Sequence, residues 1–414
     1  MAKSDPTTTN ATTDAPAKES VFQRLYTGTG AFDIVGHRKR WFVFFGALIL
    51  ACIATMGIRG FNLGIEFEGG TQIQLPAAGA EGPITTDEAS DAFADAMGTN
   101  PAEAQQVGTG ESATIQLRSE TLEPNEVQQV KQALFEQLQP VDASGQPSQQ
   151  VISDSRVSAT WGGEISRQAL IALAVFLVLV AVFLILYFET WMAVSALIAL
   201  LHDVVVTAGV YALVGFEVTP ATAIGLLTIL GYSLYDTVVV FDKVKENTRG
   251  ILNLTRRTYA EAANLALNQT LMRSINTSVI ALLPVLGLLV IGYLLLGSGT
   301  LQDLALVLLT GMLAGTLSSV CLATPLLVAF KMREPKYRKQ AEKVRARREN
   351  QARKLGAENG SALADDDFNP ADDEQLAAEL RREKAYAAAA SVPARHPKST
   401  QQRSAARPTG KRKR

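Results

Sequence analysis

Three ionisable side chains stand inside or beside long apolar stretches of this chain of 414 residues. Asp203 lies in one stretch, Asp236 lies in the next, and Arg273 precedes a third. An ionisable side chain at the centre of a bilayer costs about 2.5–3.5 kcal/mol on insertion scales, so it usually has a function or a partner. Burial raises the pKa of a carboxyl and a nearby guanidinium lowers it, so an acid under both influences can exchange a proton near neutral pH. The three residues therefore form a candidate ion-coupling site.

Each residue also has an alternative interpretation. Asp203 can bond to a Ser or Thr of a neighbouring helix, and Arg273 can be a flanking residue on the positively charged side of a membrane. For Asp236 the surrounding residues favour function, because a polar patch invites water; the patch comprises Tyr232, Ser233, Tyr235 and Thr237. Two aspartates also fit intramembrane proteolysis, which needs both carboxylates around a shared water. The absence of a Gly-rich segment before Asp203 disfavours that class.

The elements that must position these residues are predicted membrane helices. Only 19% of the residues are charged, against about 25% in soluble domains, which excludes a purely soluble protein. Both cysteines, Cys52 and Cys321, lie in apolar runs, which excludes a fold held by disulfides. Helices of about 20 apolar residues cross a bilayer core of about 30 Å. The predicted spans are Trp41–Ile58, followed within residues 169–330 by Ala169–Phe188, Trp191–Val214, Ala221–Phe241, Ser274–Leu296 and Leu304–Phe330.

Basic residues indicate the orientation of these spans. Lys and Arg precede the first span, separate the fourth from the fifth, and follow the sixth. Cytoplasmic loops carry such an excess, so we expect both termini in the cytoplasm. The segment from Gly60 to Thr160 contains 15 acidic and three basic residues, a net charge of −12, and we expect it on the opposite side.

Residues 60–165 are predicted to form an extracytoplasmic domain between the first two spans. Alternation and helical spacing predict the order strand, helix, strand, helix, strand, with an additional strand near Gln105–Val107. The predicted elements are Thr71–Leu75, Thr85–Met97, Ser112–Leu117, Pro124–Leu138 and Gln149–Ala159. This order is typical of an α+β domain of ferredoxin-like type. The fold class is thus a polytopic α-helical membrane protein with one outer α+β domain.

The two ends of the chain are predicted to be cytoplasmic and mostly disordered, over residues 1–40 and 331–414. From Lys331 to Lys354 there are 11 basic and three acidic residues, which favours contact with anionic inner-leaflet lipids. We expect no nucleic-acid partner. Within the sixth span, small residues four apart predict close helix packing; they are Gly311, Gly315 and Ser319.

Several motifs resemble the SecD and SecF family of export proteins. Just outside the first span, the segment FNLGIEFEGG resembles the family signature and contains Gly64, Glu66, Gly69 and Gly70. The motifs of predicted spans three and four resemble the SecF type and include Gly231, Tyr232, Ser233 and Asp242. The resemblance covers roughly residues 22–331. Glu66 stands where Asp is common, and Tyr235 stands where many family members have Asn.

The resemblance implies a SecF-type subunit, half of a transporter of the resistance-nodulation-division type, in the bacterial plasma membrane. Its expected partners are a SecD-type subunit, the SecYEG channel and the translocating polypeptide. It implies that a proton or sodium gradient promotes late steps of protein export, without enzymatic activity, metal or cofactor. Carried over by residue, Asp236 is the main ion-coupling carboxylate, Arg273 is its partner and Asp203 contributes. Export of small amphiphiles or lipids remains the alternative.

Overall fold

The structure is a computed structural model that describes residues 32–142, 144–292, 299–355, 375–379 and 381–382. Within these ranges six helices are long and apolar enough to cross a membrane, as the sequence predicts. The first, α1 (Arg38–Arg59), begins among the basic residues that precede the apolar run and ends at Gly60. It is followed by the α+β domain.

The α+β domain contains a four-stranded antiparallel sheet and two long helices. In chain order its elements are β1 (Asn62–Leu63), α2 (Ile65–Glu68), β2 (Gly70–Pro76), β3 (Ala78–Gly79), β4 (Gly82–Pro83), α3 (Thr86–Met97), β5 (Glu103–Val107), β6 (Thr114–Ser119), α4 (Pro124–Leu138) and β7 (Ser153–Val157). The spatial order in the sheet is β5-β6-β2-β7. Alternation along β2 turns Ile73 and Leu75 to one face, where they share a core with Phe93 of α3 and Leu134 of α4.

The remaining spans follow the domain. They are α5 (Ala159–Tyr187), α6 (Thr190–Val214), α7 (Pro220–Asn247), α8 (Tyr259–Val290) and α9 (Gly299–Ser318), which continues through the π-helical turn Ser319–Ala323 into α10 (Thr324–Lys331). Between α6 and α7, strand β8 (Glu217–Val218) pairs in parallel with β1. This pairing joins the α6–α7 linker directly to the base of the α+β domain.

Two spans begin ten or more residues earlier than predicted. Helix α5 starts at Ala159 instead of Ala169, because its polar first turns pack on the domain: Ser166 Oγ donates to the Phe67 carbonyl at 3.4 Å. Helix α8 starts at Tyr259 instead of Ser274, because a capping box between Thr258 and Glu261 starts the helix before the apolar run. The predicted end of this span at Leu296 lies outside the described residues.

The last span is not a continuous α-helix. Its π-helical turn, Ser319–Ala323, ends two residues before Pro325. Proline has no N–H and its ring conflicts with the carbonyl of the preceding turn, so the backbone widens there. Ser319 is the first residue of this turn.

Part of the tail was wrongly predicted to be disordered. Residues Pro335–Leu355 form a helix, α11. Its Tyr337 ring packs on the Tyr259 ring with 5.0 Å between centroids, and Gln340 Nε2 donates to the carbonyls of Leu254 and Arg257, both at 2.9 Å. These contacts with the α7–α8 loop compensate the low apolar content of the helix. Residues 1–31, 356–374 and 383–414 lie outside the described part, so disorder there stays a prediction.

Candidate ion-coupling site

Helix α7 carries the central carboxylate of the site. Thr219 caps this helix in a capping box with Thr222, and Pro220 occupies its first turn, so the helix starts at a defined point. Asp236 lies 16 residues further along, about 24 Å from the first turn at 1.5 Å per residue. The helix therefore holds Asp236 far from both of its ends, within a segment that is long and apolar enough to cross a membrane.

Hydroxyl groups from two other helical segments hold the Asp236 carboxylate. Ser274 of α8 donates to Asp236 Oδ1 at 2.5 Å, and Ser319 of the π-helical turn donates to Asp236 Oδ2. Both serines are fully buried, whereas Asp236 itself is half-buried. One carboxylate thus joins α7, α8 and the break in the last span.

A second buried carboxylate lies on α6. Asp203 is 1% exposed. Its Oδ2 accepts from Ser233 of α7, and its Oδ1 lies 3.0 Å from Nδ1 of His202. The His202 ring packs edge-on against Phe45 of α1, with 4.9 Å between centroids. Asp203 therefore joins α6 to α7 one helical turn before Asp236.

The small residues of the last span contact three successive turns of α7. A side chain at Gly311 would meet Ile229, and one at Gly315 would lie 3.0 Å from Ser233 Cβ and 3.6 Å from Asp203 Oδ2. Ser319 completes the row with its hydroxyl on Asp236. Because the glycines lack side chains, α9 approaches α7 closely enough to enclose both aspartates.

Arg273 lies beside this network without contacting Asp236. Its guanidinium is exposed, and Nη2 donates to the hydroxyl of Tyr235 at 3.3 Å. None of the ion pairs within the described ranges joins Arg273 to Asp236, whose oxygens are taken by the two serines. Tyr232 and Tyr235 are each 49% exposed. The predicted site residues thus divide into a buried network and an exposed face of α7 and α8.

A small cavity adjoins Asp236 on this exposed side. Its volume is about 30 Å³, enough for one water molecule. Tyr232, Asp236 and Thr277 are among the residues that line it. Across the part of the chain that the structure describes, no group of three or more His, Cys, Asp or Glu side chains could hold a metal ion.

The predicted motif residues near the α+β domain form a separate cluster. Gly69 has φ +82°, and a Cβ there would lie 2.6 Å from the Cα of Ala159, at the start of α5. A Cβ at Gly70 would lie 2.6 Å from the Ser119 carbonyl. Both glycines are therefore required where α2 turns into β2 against α5. Two further motif residues, Gly231 and Asp242, lie away from this cluster and are exposed on α7.

Sequence reasoning missed a charged cluster where the domain meets the α6–α7 linker. Arg118 of β6, which is 7% exposed, donates to Glu103 Oε2 at 2.6 Å and to Asn62 Oδ1 at 2.9 Å, and lies 3.7 Å from Glu217 Oε1 of β8. It also donates to the Leu63 carbonyl. The signal that could have revealed it is that Arg118 is one of three basic residues in an acidic segment.

This Arg118 cluster contains more negative than positive charge. Burial is the main cause that raises the pKa of Glu217 above its ordinary value; Arg118 opposes this effect, while Glu66 and Glu103 add to it. A Cβ at Gly64 would lie 2.6 Å from Glu66 Oε2 and 2.9 Å from Glu217 Oε1, so Gly64 leaves room for two facing carboxylates. The contact between the domain and the α6–α7 linker thus includes a carboxyl whose pKa is raised mainly by burial.

Comparisons with known proteins agree with the motifs. Residues 137–333 match the family described as "Protein export membrane protein SecD/SecF, C-terminal", and residues 55–81 match "SecD/SecF GG Motif". Over 376 residues the chain is 50% identical to protein translocase subunit SecF of Mycobacterium tuberculosis, covering 91% of this chain and 84% of the relative. It is 40% identical to SecF of Streptomyces coelicolor, covering 94% and 98%. The chain belongs to the SecD/SecF family.

A solved structure of this family has a similar fold. It is the crystal structure of SecDF from Thermus thermophilus, described as a translocon-associated membrane protein. The TM-score is 0.61 at 30% identity, over 72% of this chain. The present chain spans 38% of the length of that SecDF chain. The matched GG motif includes Gly69, which packs against the start of α5, and Gly70, which packs against the Ser119 carbonyl.

The bond between Ser319 and Asp236 can be tested with two adjacent serines. We expect Ser319→Ala to destabilise the protein by about 1–3 kcal/mol, because one oxygen of a carboxylate loses its donor in a low-dielectric site. Ser318→Ala is the matched control, since Ser318 is also fully buried but donates only to the Gly315 carbonyl of its own helix, at 3.2 Å. Thermal unfolding in detergent measures both; equal losses would contradict the assigned role of Ser319.

The Arg118 cluster predicts a pH-dependent stability. A raised folded-state pKa means that the contribution of Glu217 is largest below its ordinary value of 4.5 and falls as pH rises through the folded value. Glu217→Gln removes this titration, so its thermal midpoint should exceed that of the wild type at about pH 8, by a margin that shrinks toward about pH 4. Glu120→Gln, at an exposed acid of the same domain, is the control. A wild-type pH dependence in Glu217→Gln would refute this prediction.

Proposed function

We propose that the protein is a SecF-type subunit of the Sec protein translocase that uses an ion gradient to promote export, with Asp236 as the coupling carboxylate. One observation carries this proposal: a half-buried aspartate at membrane depth is held by two buried hydroxyls from separate helices, beside a cavity for one water. The SecF relatives support the translocase role.

Protonation of Asp236 would change its bonds to the neighbouring helices. The ionised carboxylate only accepts hydrogen bonds, so both oxygens can take a serine hydroxyl. In the protonated form one oxygen carries an O–H and becomes a donor, so the serine hydroxyl bonded to that oxygen must turn from donor to acceptor. A charge that crosses 100 mV releases about 2.3 kcal/mol, comparable to one such hydrogen bond to a charged group. Sodium, as a hard cation that prefers oxygen ligands, is the alternative coupling ion.

Arg273 is proposed to join the ion cycle from the exposed face. It lies one residue before Ser274 and is held by Tyr235, which directly precedes Asp236. When Ser274 releases Asp236, a small rotation of α8 would bring the guanidinium toward the carboxylate. Tyr235, which stands where many family members have Asn, thus has a proposed role: its hydroxyl accepts a hydrogen bond from Arg273 and holds it away from Asp236.

Movement at Asp236 would reach the α+β domain through α7. Asp236 lies in α7, whose N-cap residue is Thr219. Strand β8 ends at Val218, directly before that cap. Glu217 of β8 faces Arg118, and β8 is paired with β1. A displacement of α7 along its axis therefore acts on the base of the domain, while Asp203 transmits the same displacement to α6 through Ser233.

The domain is proposed to be extracytoplasmic and ferredoxin-like, and to contact the translocating polypeptide. The order β-α-β-β-α-β and the sheet order support the fold type. The net charge of −12 over Gly60–Thr160, opposed by basic residues at the other ends of the spans, supports export of the domain and cytoplasmic termini. The membrane is proposed to be the bacterial plasma membrane.

A SecD-type subunit is the proposed partner on the exposed face of α7 and α8. Tyr232, Tyr235 and Arg273 lie there at membrane depth, where polar groups favour a protein partner over hydrocarbon. The Thermus thermophilus SecDF chain, of which the present chain spans 38%, supports such a pairing. Association with the SecYEG channel and a role without catalysis complete the proposal.

Substitution of the coupling carboxylate tests this function. Asp236→Asn keeps the shape but cannot carry the charge, so we expect it to assemble and to lose the part of export that depends on the gradient. Asp91→Asn, at an exposed acid of α3, should retain that part. The measurement is protein export into sealed vesicles with and without an imposed gradient. Gradient-dependent export by Asp236→Asn at the level of Asp91→Asn would refute the assignment.

A further inference from the structure

A groove separate from the carboxylate network opens between α1, α8 and the last span. Its volume is about 750 Å³, within the range of about 300–1,000 Å³ that is usual for ligand sites. Its walls are mostly apolar and come from three membrane helices and the segment before α1; they include Phe44, Leu271, Ile275, Leu317 and Val320. A groove with this lining suits an acyl chain.

Hydrogen bonds fix the segment before α1 that forms part of the groove wall. Asn268 of α8 accepts from the Phe32 N–H at 2.9 Å and donates to the Phe32 carbonyl at 2.8 Å. Asn264, one turn earlier, accepts from the N–H groups of Ile34 and Val35 at 3.0 and 3.1 Å. Two asparagines thus hold the backbone of three residues on α8, so the groove is formed without a ligand.

The mouth of the groove is polar and carries a cation. Arg40 and Trp41 line it, together with His37 and Asp33. Asp33 Oδ1 accepts from the Gly36 N–H at 2.8 Å, and His37 Nδ1 contacts the Asp33 carbonyl at 2.7 Å, so both are engaged locally. Arg40 is exposed, and within the described ranges its guanidinium has no hydrogen-bond or ion-pair partner. An anionic group can therefore bind there.

The opposite end of the groove reaches the ion-coupling site. Ser274, which donates to Asp236, lines the groove, as does Thr316 of α9. Thr316 shares a hydrogen bond of 2.8 Å with Ser278 of α8. A molecule in the groove thus contacts α8 and α9 at the point where they approach Asp236.

We propose that this groove binds a glycerophospholipid of the inner leaflet, with its phosphate at Arg40 and one acyl chain between Phe44, Ile275 and Leu317. The inference rests on the proposed orientation, which places Arg40 at the level of the inner headgroups. Basic pockets between membrane helices on the cytoplasmic side take phosphate headgroups, and the aromatic ring of Trp41 suits the same depth. A bound lipid would restrain the rearrangement of Ser274 and so adjust the response of Asp236.

Native mass spectrometry of the full-length protein tests this site with two probes, phosphatidylglycerol and diacylglycerol with identical oleoyl chains. The phospholipid should bind more tightly than the diacylglycerol, because only the former has a phosphate. Arg40→Gln should weaken phospholipid binding about tenfold, the effect of losing a hydrogen bond to a charged group. Lys39→Gln removes an adjacent exposed charge that does not line the groove, and should bind like the wild type.

A second pair of variants tests the acyl chain. Leu317→Trp fills the groove and should reduce binding, whereas Leu313→Trp, at an exposed leucine one turn away and outside the lining, should not. Equal binding by Arg40→Gln and Lys39→Gln, or equal binding of diacylglycerol, would overturn the proposal. Lipid binding that occurs only after residues 2–31 are removed would also overturn it, because those residues would then be the occupant of the groove. The bound mass reports on the lipid site alone, whether or not Asp236 couples export to a gradient.

Discussion

The charge of one carboxylate in hydrocarbon is the constraint on which the rest of the structure depends. An unpaired charge at membrane depth is costly, so Asp236 needs donors, and the chain supplies them from Ser274 of α8 and Ser319 of the last span. To reach it, Ser319 lies in a π-helical turn, and Gly311 and Gly315 let α9 approach α7. Both the interruption of a helix and the loss of side chains there serve to stabilise this charge.

Both donors to Asp236 are neutral hydroxyls. A neutral donor bonds a carboxylate less strongly than a guanidinium does. Arg273 does not contact Asp236; its guanidinium donates to the Tyr235 hydroxyl. At the other end of α7, Glu217 faces Arg118 with a raised pKa. The proposed coupling therefore has one contact in the middle of α7, at Asp236, and a second just before its first turn, at Glu217, where the α+β domain meets the α6–α7 linker.

The sequence predicts the parts of this structure that depend on local pattern. Six apolar runs predict six membrane helices, and alternation with helical spacing predicts the elements of the α+β domain. The sequence pattern does not predict contacts between segments that are distant along the chain. Helix α11 is rich in charge and depends on the α7–α8 loop for its order, so composition predicts disorder. The polar start of α8 packs on protein instead of lipid. The role of Arg118 depends on the fold, which brings this residue of β6 close to Glu217 of β8.

The charge state of Asp236 under a gradient is the most direct test of the account. Infrared difference spectroscopy on vesicles, with aspartate carboxyls isotopically labelled, distinguishes protonated from ionised carboxyl groups. When the outside is made acidic, we expect a protonated-carboxyl band to appear, and we expect it to be absent from the Asp236→Asn protein. An ionised Asp236 that is unaffected by proton and sodium gradients of either direction would contradict the central claim.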